Sequence, residues 1–532
     1  MKTTHKYLAK IVVETATPLA VGTGEKGSIV DRIVARDALD LPYIPGTTLA
    51  GVIRHVLAES GAESLVDNLF GYQSKVKKTE EQEASGQGSR IIFSGAHLIG
   101  EDGVTVIEGI QPIDYSSNYY GLFKKMPKRD HVRINEKGAA DTQNNGKFDE
   151  ELVHRGTRFA FSIELDGNEA DQDIWQELLT IIHRPLFRIG SGTRKGFGAL
   201  NVISCKTKVY NCTQKIELLD YLSQSSALNQ TLQAATDFHP KSTSTAGWKH
   251  YQLNLQPCDF FLFGAGFGDE DVDNKSKTER YIDWSSGKAK LVESDWLLIP
   301  ATSIKGALSH RIAFHYNQLC GNYALQELVV TSPPSLNLQS VLAESGFGVD
   351  VETIEQLDNL SNLSELEKHL ENQTFDTFFN NSNQWKEYEH QLEKYQKSQS
   401  EDLKLIPGIG VKNDAVKSLF GYALKDDEGA RGKVIFSDLY LEIGDHSQKV
   451  FSHVAIDRFT GGSMDGALFQ QKVATSEDFK LDIYVDESAM INEKVKTAFE
   501  QALQDLADGK LPLGGSTTKG HGRFRGTVNQ IN

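Results

Sequence analysis

The stretch GSGTRKGFGAL, Gly190 to Leu200, is written a second time near the other end of the chain as LGGSTTKGHGRF, Leu513 to Phe524. Each copy sets a lysine, Lys195 or Lys519, among glycines just before an apolar, strand-like segment. Outward from these loops, further pairs recur in the same order. IPGTTLAGVIR (Ile44 to Arg54) is echoed by IPATSIKGALSHR (Ile299 to Arg311), and LFGY at Leu69 to Tyr72 by Leu419 to Tyr422. RIIFSGAHL (Arg90 to Leu98) returns as KVIFSDLYL (Lys433 to Leu441), and HVRINEKGA from His131 as HVAIDRFTGG from His453. Each pair alone is weak, but collinear pairs mark a duplication. The chain therefore reads as two homologous domains, 1–204 and 248–532. The stretch 205–247, which includes FHPKSTSTAG (Phe238 to Gly247), reads as a polar linker. Extra length before the second LFGY places an insert at roughly 320–410, with LSNLSELEKHLENQTFDTFFNN (360–381) as its most helix-like part.

Within each half the order is strand, loop, helix, strand, strand region, helix, strand. KYLAKIVVETATPL and YQLNLQPCDFFLF alternate as first strands do. The helix after IPGTT puts Leu49, Val52, Ile53, Val56 and Leu57 on one face, with Thr47 or Thr48 available as N-cap. Its partner does the same with Ile304, Ala307, Leu308 and Ile312. FAFSIEL and FKLDIYV are later strands, followed by helices around DIWQELLTIIHR and VKTAFEQALQDL. This order predicts the α+β class: two tandem ferredoxin-like (RRM-like) domains with antiparallel sheets, the second carrying a helical insert.

At 532 residues, 39% hydrophobic and 24% charged, the composition is that of a globular protein with more than one core. No run of 18 apolar residues suits a membrane span. The N-terminal alternation, interrupted by Lys10 and Glu14, favours a strand over a signal peptide. Cys205, Cys212, Cys258 and Cys320 show neither metal-knuckle nor disulfide-framework spacing, so free thiols in a cytoplasmic protein are expected. The net charge of −16 argues against nucleic acid only at first sight, because charge is segregated. Gly121 to Asn135 is strongly basic while Glu344 to Glu401 is rich in acid, which leaves RNA or DNA open as partners.

The glycine loop has two readings. Its amides and lysine suit a phosphate, or its glycines serve only a tight turn. Neither a P-loop nor a Rossmann fingerprint is present, so ATP and NAD are not supported.

Taken together, the first strand and glycine turn, the IPG(T)TL.G..R helix opening, LFG, the IIFS/VIFS strand, the HVAIDRFTGG segment and the terminal glycine–lysine loop resemble the RAMP superfamily. Both halves look more closely like the Cas-seven-type backbone subunits of type III CRISPR effectors, and the tandem chain resembles the double-backbone fusions of type III-D-like complexes. HVAIDRFTGGSMDGALF is the most specific single match. The resemblance implies a subunit that lines up along a CRISPR guide RNA beside other effector subunits. A thumb-like hairpin would wedge into the guide–target duplex, and a loop carboxylate would cut the target RNA at regular intervals with Mg²⁺ or another divalent cation. The matching carboxylate is Asp31, with Asp37 as the runner-up and Asp40 nearby.

The second loop is longer, and Asp283 in YIDW best parallels Asp31 in IVDR. Asp269, Asp271 and Asp273 begin like an EF-hand, but Asn274 replaces the needed glycine and Arg280 stands where the bidentate glutamate belongs. Arg54, Lys305, Arg311, Arg133 and Arg458, with Arg194, Lys195, Lys519 and Arg523 of the glycine loops, are candidates for guide phosphates. Tyr119, Tyr120 and Phe123 with Lys124, Lys125 and Lys128 suit a thumb. His131 and His453 read as structural or RNA-contacting. Alternative readings are a non-catalytic RNA scaffold and a RAMP-type nuclease that processes precursor guide RNA.

Overall fold

The structure is a computed structural model. It describes residues 3–24, 27, 30–59, 61, 63–73, 86–134, 140, 146–243, 245, 247–266, 268–321, 383–399, 408, 410–423, 429–444 and 447–531. The chain divides into two compact units, Met1–Leu319 with Ile409–Asn532, and Cys320–Gly408. In the smaller unit the helix Asn383–Gln399 is described, and the segment 360–381 lies outside the described residues.

Both duplicated halves lie in the larger unit. The first contains β1 (His5–Thr15), α1 (Gly46–Glu59), β2 (Ile91–Phe93), β3 (Lys128–Val132), β4 (Lys147–Glu151), β5 (Arg158–Gly167), α2 (Gln172–Ile182) and β6 (Leu200–Asn211). Its sheet runs β6-β1-β5-β2, and β1, β5, β6 and β2 pair antiparallel throughout. The second half repeats the plan with β7 (Trp248–Pro257), α3 (Ala301–Cys320), β8 (Val434–Phe436), β9 (Gln448–His453), β10 (Phe469–Ala474), β11 (Phe479–Asp486), α4 (Glu493–Ala507) and β12 (Phe524–Ile531). Its sheet runs β12-β7-β11-β8, the same ferredoxin-like order.

The elements form for ordinary reasons. Along β1, Tyr7, Ala9, Ile11 and Val13 are buried at a period of two. Leu49, Ile53 and Leu57 bury the matching face of α1, with Val52 and Val56 packed at its border. Each such fully buried aliphatic contributes about 1.5–3 kcal/mol. In the second half Ile304, Leu308 and Ile312 of α3 meet Leu253, Leu255 and Phe499 in a separate core. Helix α1 begins at Gly46, so Thr47 and Thr48 lie inside its first turn instead of capping it.

Two expectations need correction. The stretch from 205 is not a free linker. Strand β6 continues to Asn211, a helix spans Lys215–Ser223, and Thr236–Asp237 adds an edge strand to β6. Nor do the aromatics of 114–130 form a thumb. Tyr119 and Phe123 are buried, and the Tyr119 hydroxyl donates to the Ile99 carbonyl at 2.8 Å. Besides Tyr120 and Phe123, the ring of Trp284 from the second half packs against Tyr119, at 6.2 Å.

Candidate nucleic-acid interface

The hairpins β3–β4 and β9–β10 bring together residues that are far apart in sequence. His131 pairs across the first hairpin with Phe148, and their rings stack at 4.7 Å. Lys195 of the glycine loop sets its ammonium 5.1 Å from the centre of the same Phe148 ring. The second half does likewise: His453 stacks on Phe469 at 4.8 Å, and Lys519 lies 4.6 Å from that ring. The repeated histidine and repeated lysine thus converge on a phenylalanine that sequence reading did not single out. Its only signal was an aromatic at the start of the strand returning from the hairpin.

The glycine loops themselves are held by geometry. The amide of Ser191 donates to the Ala20 carbonyl and that of Gly515 to the Leu262 carbonyl, each at 2.7 Å. Gly198 and Gly522 have φ of 77° and 75°, and a Cβ on either would lie 2.0 Å from a backbone oxygen, of Ile189 or Leu513. Here glycine is a steric requirement.

Asp31 is exposed and interlocked with β4. Its amide donates to Asp149 Oδ1 at 2.8 Å, and the Asp149 amide donates to Asp31 Oδ2 at 3.1 Å. Arg32 then bridges to Glu150, and Gly22 to Val34. In the second half Gly264 bridges to Ser276, and Asn274 pairs with Gln471 in parallel. The residue before Asn274 is Asp273, and it repeats the interlock: the Gln470 amide donates to Asp273 Oδ2 at 2.7 Å. Asp273 is exposed as Asp31 is. The counterpart of Asp31 is therefore Asp273, and the expected match with Asp283 is corrected. Asp283 lies on a short strand, Ile282–Asp283, paired with Lys290–Leu291, where its carboxylate accepts from the Ser285 hydroxyl and amide. Its neighbour Ile282 donates its amide to the Arg155 carbonyl of the first half at 2.9 Å.

Asp37 and Asp269 are engaged by their own loops. Asp37 accepts from the amides of Leu39 and Leu41 and lies 3.5 Å from His97. Burial opposes its ionisation, but the His97 contact and those amides outweigh it and hold the carboxyl below its usual range. Asp269 accepts from the amides of Asp271 and Val272 and pairs with Lys275 at 3.1 Å.

The profile of the RAMP superfamily matches residues 12–201 and 297–525 of this chain. The chain belongs to the RAMP superfamily. No curated protein matches it. One solved structure that it resembles is the "Cryo-EM structure of the Type III-B Cmr-beta bound to cognate target RNA", at 16% identity and a TM-score of 0.27. The alignment covers 39% of this chain and 61% of that one, so this chain spans less than two thirds of that protein.

In this RAMP protein the candidate cations fall into two groups. Lys124, Lys125, Lys128, Arg133, Arg458, Lys519 and Arg523 are exposed, and so is Arg54, 4.0 Å from Asp67. Arg311 is tied to Asp505 at 2.6 Å, and Arg194 donates to the Gly432 carbonyl across the junction of the two halves at 2.8 Å. Lys305 lies at that junction too: burial, then the charges of Lys195 and Arg194, bring its pKa down to about 8. Close by is Arg188, 6% exposed, whose Nη2 donates to the Ser437 hydroxyl. The exposed large apolar residues of the hairpin beyond β9 are Val454, Ile456, Phe459, Met464 and Leu468, with Phe459 fully exposed beside Arg458.

Among the described residues no three His, Cys, Asp or Glu converge to hold a metal. Mg²⁺ needs less than that, since it keeps waters and combines one or two carboxylates with substrate phosphates. Asp31 with Asp149 fits this requirement, while Asp273 faces the amide of Gln470.

Among the described residues no helix is long and apolar enough to cross a membrane.

Proposed function

We propose that this protein is a guide-RNA-binding backbone subunit of a type III CRISPR effector complex. In that complex, working in the cytoplasm against invading nucleic acid, it cuts the guide-paired target RNA once per half, with Asp31 in the first and Asp273 in the second. The observation that carries this reading is the repetition of one constellation. In each half an exposed aspartate, interlocked with a hairpin strand, stands in the same register relative to a His–Phe–Lys group.

The roles follow from the chemistry. Lys195, Lys305 and Lys519 meet guide phosphates, which explains a cationic junction inside a chain of net charge −16. The apolar tip with Ile456, Phe459 and Met464 wedges between base pairs and frees one nucleotide from the stack. At the freed linkage the 2′-oxygen bonds to phosphorus as the P–O5′ bond breaks. The hydroxyl proton passes to the aspartate, and the leaving 5′-oxygen takes a proton from water. A divalent cation, when bound, supplies charge neutralisation at the phosphate. Asp31 and Asp149 would hold it in the first half, and Asp273 in the second.

The test is single-turnover cleavage of a labelled target by the guide-loaded complex, with Mg²⁺ and then with excess chelator. Two products separated by a fixed interval, both lost on chelation, support the reading. Guide binding without any cut would make the protein a scaffold. Cutting of precursor guide RNA that survives chelation would make it a processing nuclease.

A further inference from the structure

The two constellations differ in charge at matched positions. In the first half Glu150 is 2% exposed, and its Oε1 lies 2.6 Å from His131 Nε2. Its other oxygen is 3.9 Å from the guanidinium of Arg32, which lies 4.8 Å from the centre of the Phe148 ring. In the second half Gln471 occupies the place of Glu150 and accepts from the Ser516 hydroxyl at 3.2 Å. Asn274 occupies the place of Arg32. The next cation, Lys275, is tied to Asp269.

We infer that Arg32 is the cation that meets the RNA phosphate beside Asp31, that Glu150 positions it, and that the first half is in consequence the faster of the two cutters. The inference rests on the cleavage reading above. A guanidinium offers a rigid pair of donors for two phosphate oxygens, and it is half exposed here, next in sequence to the aspartate. It transfers no proton. It offsets the negative charge that builds on the non-bridging oxygens as the 2′-oxygen adds to phosphorus. Asn274 has no charge to offer in that place.

The experiment resolves the two products of the guide-loaded complex and measures their rates separately. In the wild type the first-half cut is expected to be the faster. Arg32→Asn and Glu150→Gln are expected to slow that cut about tenfold while leaving the second-half cut unchanged. Arg32→Lys recovers part of the rate. Asn274→Arg accelerates the second cut, a gain that misfolding cannot produce. Equal rates in the wild type, an unaltered first cut in Arg32→Asn, or equal slowing of both cuts in that variant would each overturn the inference. Asp31→Asn and Asp273→Asn run in parallel. If their products persist, the cleavage reading itself has failed, and this inference falls with it.

Discussion

Lys305 carries its ammonium 5.7 Å from the centre of the Phe420 ring, and its charged neighbours Lys195 and Arg194 are themselves cationic. Its proton leaves at about 8 in the folded protein against 10.5 ordinarily, so between those values the unfolded chain binds more protons and stability rises with pH. Below about 8 the destabilisation is fully present. Lys305→Met is therefore expected to be more stable than wild type at pH 7 by about 2 kcal/mol, with the gap closing as pH rises toward 10.5. Urea unfolding at pH 7 and pH 9.5 measures this, and an unchanged gap would refute it. The same substitution is expected to weaken guide RNA binding and to flatten its log–log salt dependence by about one unit. His154 gives the opposite end of the pH scale. Burial depresses its pKa to about 4, so as pH falls through 6.5 the unfolded chain takes up a proton that the fold refuses. Stability is expected to decline between pH 6.5 and 4, and less steeply in His154→Gln.

At the scale of the element, the glycine loops and the hairpins make separable predictions. Gly522→Ala sets a methyl against the Leu513 carbonyl at a positive φ, and it is expected to cost several kcal/mol, on the order of 3. Ser516 holds φ of 56° where the first half has Gly192, so Ser516→Gly is expected to be neutral or stabilising by about 0.5–1 kcal/mol. Thermal unfolding of both variants checks the pair, and a destabilised Ser516→Gly would show that the Ser516–Gln471 hydrogen bond outweighs the strain. This scale also shows what the sequence made legible. The strands, helices and glycine loops were readable because their motifs are local and written twice. The second aspartate was misread because the second loop is the longer one, and its added hairpin, Ile282–Asp283 with Lys290–Leu291, carries its own hydrophobic-Asp motif nearer the helix. Register is set by the Gly264–Ser276 bridge, which no spacing from the helix reveals. Tyr119 and Phe123 looked like a thumb because Trp284, which helps bury them, lies some 160 residues further on.

At the scale of the larger unit, that same segment fastens the two halves. Trp284 donates its indole N–H to the Gly156 carbonyl at 2.6 Å, with the Arg158 guanidinium 4.2 Å from its ring centre. Arg129 of the first half, nearly fully buried, sits between Glu279 and Asp438 of the second, 3.0 Å from Asp438. Asp438 in turn accepts from the Ala301 amide at the start of α3, so the ion pair also fixes the helix that bears Lys305. Gly196 of the first glycine loop is pressed against both, since a Cβ there would lie 2.7 Å from Ala301 and from Asp438. Arg129→Met strands two buried carboxylates and is expected to cost about 3–5 kcal/mol. Trp284→Ala is expected to cost a similar amount, about 3–5 kcal/mol, through the cavity it leaves. Urea unfolding followed at two probes, one in each half, should show coincident transitions in the wild type and separated ones in Arg129→Met. Coincident, unshifted transitions would mean that the halves are not coupled through this contact. On the proposed reading, the coupling sets the distance between Asp31 and Asp273, and so the expected interval between cuts.

The most direct test of the central claim is the product map of target RNA cut by guide-loaded complexes bearing Asp31→Asn, Asp273→Asn or Asp283→Asn. The account predicts that Asp31→Asn removes one product, that Asp273→Asn removes the neighbouring one, and that Asp283→Asn keeps both. A second product that survives Asp273→Asn and vanishes in Asp283→Asn would contradict it.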